Sequence, residues 1–308
     1  MRNRFDRRHL LGMTLSGTVL AMAPGSTGAT AADPRPAGSS SAPAGTVARP
    51  VDPRMLQLEN EYDVRLGVYG INTATGRVLA HRARERFAFC SVFKALVAAA
   101  VLDRNPMSHL DTLVRYTEAD LMDSSFITRD HVDTGMTIGE LCDATVRYSD
   151  GTAGNLLLAD LGGPAAFTEW LRGLGDPVTR SDRWEPELNT AIPGDPRDTG
   201  TAEALARDLE AVVLGPTLPT AQRGFLRDLL ERNTTGDSRI RAALPPGWTA
   251  GDKTGTGDYG TANDIAVVWR PDGIPLVLAI MSRRHTPDAG VDDAVLAEAA
   301  ARVLATIA

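Results

Sequence analysis

Ser91-Val92-Phe93-Lys94-Ala95-Leu96-Val97-Ala98-Ala99-Ala100-Val101-Leu102 is the stretch around which the rest of the 308-residue chain can be placed. From 93 to 102 it is apolar on nearly every face, the pattern of a helix buried all round rather than one lying on a surface. One lysine interrupts it. Lys94 and Lys253 are the only lysines in a chain with 32 lysines and arginines together. Arginine has been used wherever a positive charge alone suffices, so the two exceptions mark places that need a compact ammonium or a titratable amine. Ser91 and Lys94 stand three apart at the helix start, which puts hydroxyl and amine on one face, one turn apart. Serine is a weak nucleophile until a base takes its proton. A lysine buried beside a second cation such as Lys253 has its ammonium form disfavoured and can act as that base or relay.

Outward from this helix the signals divide. Leu56 and Leu58 in a polar stretch over 53–62 predict a short helix, and 65–71 with 77–81 reads as a hairpin turning through Asn72-Thr73-Ala74-Thr75-Gly76. Downstream the signals are helical, over 138–148, 152–161, 164–174, 201–214 and 220–233. The end reverts to strands at 248–257, 263–270 and 274–282 before a closing helix over 292–307. Strands first and last, with helices between, imply one sheet assembled from both ends of the chain. There is no internal repeat.

Composition, at 43% hydrophobic and 23% charged residues, is that of a globular protein able to bury a core. The start differs. Arg2, Arg4, Arg7 and Arg8 precede a weakly apolar run over 10–23 and then Ala29-Thr30-Ala31, so residues 1–31 read as an export signal with a small-x-small cleavage site. Arg7-Arg8-His9-Leu10-Leu11 has twin-arginine form, although Asp6 is atypical, and the run is too short and broken to remain as a membrane anchor. Its removal takes away four arginines and one aspartate and moves the formal charge from −7 to −10. An acidic mature protein argues against nucleic acid or an anionic membrane surface as partner. Residues 32–52, rich in Ala, Pro, Gly and Ser, read as a disordered leader. Cys90 and Cys142 are expected free and buried. His9, His81, His109, His131 and His285 are scattered without metal-ligand spacing, so they read as single surface residues and no metal or cofactor is expected.

Two further motifs complete a set. Tyr148-Ser149-Asp150-Gly151 ends one helix and opens the next, and Lys253-Thr254-Gly255-Thr256-Gly257 lies on a strand whose small residues let a ligand approach closely. Ser-x-x-Lys, Ser-Asp-x and Lys-Thr-Gly in this order belong to serine β-lactamases and penicillin-binding proteins. From about residue 53 to the end, the chain resembles a class A β-lactamase. Arg183-Trp184-Glu185-Pro186-Glu187-Leu188-Asn189 matches that family's Ω-loop signature, which separates hydrolase from mere acyl acceptor.

The resemblance implies an α+β fold, a five-stranded antiparallel sheet with flanking helices over 53–87 and 232–308, plus an all-helical domain over 88–231 with its Ω loop at about 180–198. It implies Ser91 as nucleophile, Lys94 as base or relay, Ser149 as proton donor to the lactam nitrogen, and Glu185 as the base that deacylates, aiming a water together with Asn189. Lys253, Thr254, Gly255 and Thr256 would bind the substrate carboxylate, with Asp150 also in the substrate site, and the N–H groups of Ser91 and Thr256 would form the oxyanion hole. It implies a cis peptide before Pro186 and an Arg183–Asp198 ion pair closing the loop. Many members supply an arginine where this chain has Ala262; others bring one from before the Lys-Thr-Gly strand, where it has Arg239, with Arg241 beside it reading as a surface residue.

Two departures stand out. Gly151 replaces the usual asparagine and is expected to widen the cleft, admit bulky side chains and alter the reaction with clavulanate-type inhibitors. Ser124 replaces the aromatic residue at the cleft mouth, with Phe126 close by. A disulfide from Cys90, found in some carbapenem-hydrolysing relatives, cannot form because its partner position is Gly257. The expected activity is hydrolysis of penicillins and cephalosporins through a Ser91 acyl-enzyme, by a secreted monomer, extracellular or periplasmic, that confers β-lactam resistance. A penicillin-binding peptidase and a β-lactam sensor that acylates once share the first three motifs and stay open as alternatives.

Overall fold

The computed structural model describes residues 51–308, so the export signal expected over 1–31 and the leader as far as residue 50 lie outside it. The last leader position belongs to the fold instead. Asp52 caps α1 (Pro53–Tyr62), its carboxylate accepting from the Arg54 N–H at 2.8 Å. The hairpin of β1 (Arg65–Asn72) and β2 (Val78–His81) follows, then β3 (Arg86–Ala88) and the buried helix, α2 (Phe93–Arg104). Next come β4 (Leu113–Val114), β5 (Met136–Thr137), α3 (Ile138–Arg147), α4 (Gly151–Leu161) and α5 (Pro164–Leu174). β6 (Thr199–Thr201), α6 (Ala202–Val213) and α7 (Thr220–Glu231) lead to β7 (Thr249–Gly257), β8 (Thr261–Trp269), β9 (Pro275–Arg283) and the closing helix α8 (Ala294–Ile307).

The sheet is five-stranded and antiparallel throughout, in the order β2-β1-β9-β8-β7, so the two ends of the chain interleave as expected. Its inner strands are buried on both faces, and alternate residues serve two cores. On β9, Leu276, Leu278 and Ile280 face the core built with α1 and α8, whereas Val277, Ala279 and Met281 face the core that includes α2 and α6. Two small ladders, β3 with β6 and β4 with β5, were not anticipated. Strands of two or three residues carry no readable period, so β4, β5 and β6 lay unseen within the stretch read as helical and β3 at its edge.

Every residue of α2 from Phe93 to Leu102 is buried. Burying Phe93, Leu96, Val97, Val101 and Leu102 contributes about 1.5–3 kcal/mol each. That total exceeds the several kcal/mol that taking one ammonium, Lys94, out of water costs. His81 corrects the sequence reading: it is fully buried rather than on the surface, with Nδ1 accepting from the Asp52 N–H at 3.1 Å and Nε2 3.3 Å from Glu59 Oε1.

Helix α8 lies so close to β1 that a Cβ on Gly70 would stand 2.3 Å from Val303 Cγ1. Gly70→Ala is therefore expected to destabilise the protein by about 1–3 kcal/mol through overpacking. Adding Val303→Ala should return part of that loss, and urea unfolding of the two single variants and the double variant measures the coupling.

Candidate active site

The turn Cys90–Val92 delivers Ser91 to the start of α2. Cys90 holds φ at 48°, a left-handed conformation that costs a non-glycine residue about 1–2 kcal/mol. Two contacts impose it. Asn263 Nδ2 on β8 donates to the carbonyls of Ala88 and Phe89 at 2.9 and 3.1 Å, and β7 presses against the turn at Gly255. A Cβ on Gly255 would fall 2.8 Å from Phe89 O and 3.1 Å from Ser91 N, so only glycine lets strand and turn meet. Burial pushes the Cys90 thiol well above its ordinary range, and Cys142 is likewise raised, to about 12; both are free and buried as expected.

Ser91 Oγ donates to Glu185 Oε1 at 3.2 Å, and Lys94 Nζ lies 2.9 Å from the same oxygen. One carboxylate oxygen thus joins hydroxyl and ammonium. Lys94 Nζ also donates to the Ser149 carbonyl at 2.7 Å. Lys94 is fully buried and Glu185 is 4% exposed, so this is a charge pair out of reach of bulk water.

Ser149, with φ at 60°, sits at the α3–α4 junction, and its hydroxyl accepts from Lys253 Nζ at 3.1 Å. Lys253 donates as well to the Thr254 carbonyl at 2.9 Å and is fully buried. Burial, reinforced by the charge of Lys94, pulls its ammonium down to about 7. Thr254 Oγ1 lies 2.6 Å from Thr235 Oγ1, and Thr256 Oγ1 accepts from Arg239 Nη2 at 2.8 Å. Arg239 reaches the site as anticipated, but with its fork tied down: Nη1 donates to Gly255 O and Asn263 O, and Nε meets Asp293. Arg241, read as a surface residue, instead pairs with the fully buried Asp252 and caps the carbonyls of Leu230 and Glu231.

Asp150 lies in the site but faces away from its open side. Its carboxylate accepts from the N–H groups of Ile127 and Thr128 at 2.8 and 2.9 Å, from Thr128 Oγ1, and from the Ala153 N–H at 2.8 Å as the cap of α4. It is fully buried, with its carboxylate surrounded by these donors from the chain at 127–128 and from α4. Gly151 differs from expectation too. A Cβ there would meet Ser124 Oγ at 2.3 Å, Glu185 Oε2 at 2.6 Å and Met122 Sδ at 2.6 Å, so neighbouring side chains fill the space that the missing amide was expected to leave open. Phe126, 52% exposed, has the Arg129 guanidinium 6.0 Å from its ring centroid.

The loop that bears Glu185 is held at both ends. Arg183 Nε meets Asp198 Oδ2 at 2.5 Å, and the cis bond joins Glu185 to Pro186. Asn155 clasps Glu185 by its backbone, donating to the carbonyl at 2.9 Å and accepting from the N–H at 3.0 Å. Asn189 Oδ1 is buried without a hydrogen-bond partner among the described residues, while the Asn189 carbonyl accepts from the Asp258 N–H at 2.9 Å. A Cβ on Gly257 would lie 2.6 Å from that carbonyl and 2.7 Å from Cys90 Sγ, so Gly257 is a packing requirement like Gly255.

Asn155, Asn263 and Thr235 were not singled out from sequence. For Asn155 a signal existed, because an asparagine amid Gly-Thr-Ala-Gly-Asn-Leu-Leu-Leu-Ala is a poor helix former with no evident surface face. Among the described residues no group of three or more His, Cys, Asp or Glu side chains can hold a metal, and no helix is long and apolar enough to cross a membrane. Replacing Asp150 with alanine would leave several buried N–H donors without an acceptor. Asp150→Ala should cost about 2–4 kcal/mol, read as a lower midpoint in urea.

The family model described as "Beta-lactamase enzyme family" matches residues 50–307. A β-lactamase of Mycobacterium tuberculosis (strain ATCC 25618 / H37Rv) is 54% identical over 316 residues, covering 100% of both chains. One from Bacillus amyloliquefaciens is 53% identical over 247 residues, 80% of this chain and 81% of that one. Among solved structures, the class A β-lactamase described as the last common ancestor of Gram-negative bacteria superposes with a TM-score of 0.79 at 53% identity, over 82% of this chain and 97% of its own. A halotolerant bacterial β-lactamase gives 0.81 at 48% identity, over 82% and 98%. With its three motifs and its Ω loop converging on one buried carboxylate, the chain belongs to the class A β-lactamase family, hydrolases of the β-lactam amide.

Proposed function

We propose that this enzyme hydrolyses penicillins and cephalosporins through an acyl-enzyme on Ser91, cleared by water that Glu185 activates. The observation that carries the reading is the single oxygen, Glu185 Oε1, within 3.2 Å of Ser91 Oγ and 2.9 Å of Lys94 Nζ. Ser91 attacks the lactam carbonyl as its proton leaves toward the Glu185–Lys94 pair. The carbonyl oxygen takes up negative charge between the N–H groups of Ser91 and Thr256. The C–N bond breaks, the nitrogen takes a proton from Ser149 Oγ, which Lys253 holds at 3.1 Å, and the proton that Ser91 gave to the Glu185–Lys94 pair passes on to Ser149, leaving Glu185 ionised again. Water aimed by Glu185 and the unpartnered Asn189 Oδ1 then loses its proton to Glu185, attacks the ester and returns the proton to Ser91. The substrate carboxylate lies against Lys253, Thr254 and Thr256, with Arg239 behind Thr256.

Export by the twin-arginine signal and a role in β-lactam resistance complete the proposal; they rest on the N-terminal sequence and on the activity itself. Sustained turnover of a chromogenic cephalosporin that disappears in Ser91→Ala supports a hydrolase. A single stoichiometric burst with a lasting mass adduct would make the protein a peptidase-like acyl acceptor or a sensor.

Glu185→Ala is expected to acylate and then stall, with deacylation slowed about a hundredfold to ten-thousandfold and the adduct visible by intact mass. Continued rapid hydrolysis by that variant would remove Glu185 from its role. Lys253 generates a pH test. Its ammonium, which the substrate carboxylate needs, is lost as pH rises through about 7 in the free enzyme, so kcat/KM for carboxylate-bearing β-lactams should fall on the alkaline side, toward about tenfold per pH unit. Lys253→Arg, charged throughout, should move that limb upward. A limb that stays in place would show that another group sets it.

A further inference from the structure

A second cavity, of about 690 Å³, lies between the edge formed by β3 and β6, the N-terminal half of α6 and the segment after α5; no residue of the active site lines it. One wall is apolar, from Leu174, Pro177, Val178 and Ala204. The charges around it do not balance. Glu203 serves two arginines, meeting Arg84 at 2.6 Å and Arg207 at 3.2 Å. Arg86 has no carboxylate partner among the described residues; its Nη1 donates only to Thr199 Oγ1, at 2.9 Å. Asp176 is turned inward, accepting from the N–H groups of Val178 and Thr179 at 2.7 and 3.1 Å.

Asp208 is the cavity's other buried carboxyl. It lines the cavity, is 3% exposed, and its Oδ2 accepts from no donor among the described residues. A buried carboxyl left without a donor is a costly feature in a well-packed protein. Burial, with the charge of Asp176 and a hydrogen bond to its carboxylate next, pushes it well above the usual carboxylate range, so it is held as a neutral acid whose proton is shared with Asp176. Three arginines against two charged carboxylates leave one positive charge unpaired, and it belongs to Arg86.

We propose that this cavity is a second binding site, for a small organic monoanion with an apolar body. The ligand's carboxylate pairs with Arg86, and its hydrocarbon part lies on Leu174, Pro177, Val178 and Ala204. The volume is in the range of about 300–1,000 Å³ typical of small-molecule sites. A guanidinium facing a low-polarity wall suits a planar carboxylate, through two parallel hydrogen bonds.

The test is amide chemical-shift mapping on isotope-labelled protein with phenylpropionate as probe and phenylpropionamide as its uncharged counterpart. Phenylpropionate should shift residues 174–178 and 204–208, and the amide should bind at least about tenfold more weakly. Arg86→Gln should weaken the acid by about tenfold or more, and Ala204→Phe, which fills the cavity without touching a charge, should abolish the shifts. Neither residue belongs to the catalytic machinery, so unchanged turnover of a chromogenic cephalosporin shows that both variants are folded. Shifts confined to 253–256, equal binding of acid and amide, undiminished binding in both variants, or no shifts at about 10 mM probe would overturn the proposal.

Discussion

An ammonium with no access to water must be given partners, and the surroundings of Lys94 are organised to supply them. The helix that carries it offers none, being apolar from Phe93 to Leu102. Its two partners come from elsewhere: the Ser149 carbonyl from a junction held in a left-handed turn, and the Glu185 carboxylate from a loop that Asn155 grips by the backbone. Breaking such a pair on one side strands the other charge, at a cost of about 3–5 kcal/mol. The two contacts are tied together, since the oxygen that pairs with the lysine is the one that accepts from the Ser91 hydroxyl.

The same economy of contact governs β7. Gly255 and Gly257 alternate with Thr254 and Thr256, so that one side of the strand is bare where it meets the nucleophile turn and the Glu187–Thr190 turn, while the threonine hydroxyls remain available for ligand and for support from Thr235 and Arg239. Two surfaces that must almost touch leave no room for a side chain between them.

Much of this could be read from the residues. The buried helix, the two-ended sheet and the pairing of Ser91 with Lys94 follow from local pattern, while the convergence with Ser149, Glu185 and Lys253 and the Arg183–Asp198 clasp follow from the family resemblance that the motifs carry. What escaped reading was set by tertiary contact. The ladders of β3 with β6 and β4 with β5 are too short to have a period, and His81 and Arg241 carry no mark of the buried carboxylates they face. Asp150 was placed by motif among the substrate contacts, yet its four acceptor interactions depend on where the chain at 127 and 128 returns. Gly151 could be seen to lack an amide, but not that Met122 and Ser124 take up the room.

Strand β1 pairs along its whole length with β9, some two hundred residues downstream, and α8 then packs onto it against Gly70. During synthesis the first strand therefore has only its short hairpin partner until nearly the entire chain has been made. A two-stranded hairpin is marginal in water by itself, so the sheet cannot nucleate from its N-terminal half. Lys253 reaches Ser149 only as part of that late sheet. The site thus cannot assemble in stages: a nascent chain that has already produced Ser91, Ser149 and its Ω loop still lacks the surface on which they come together.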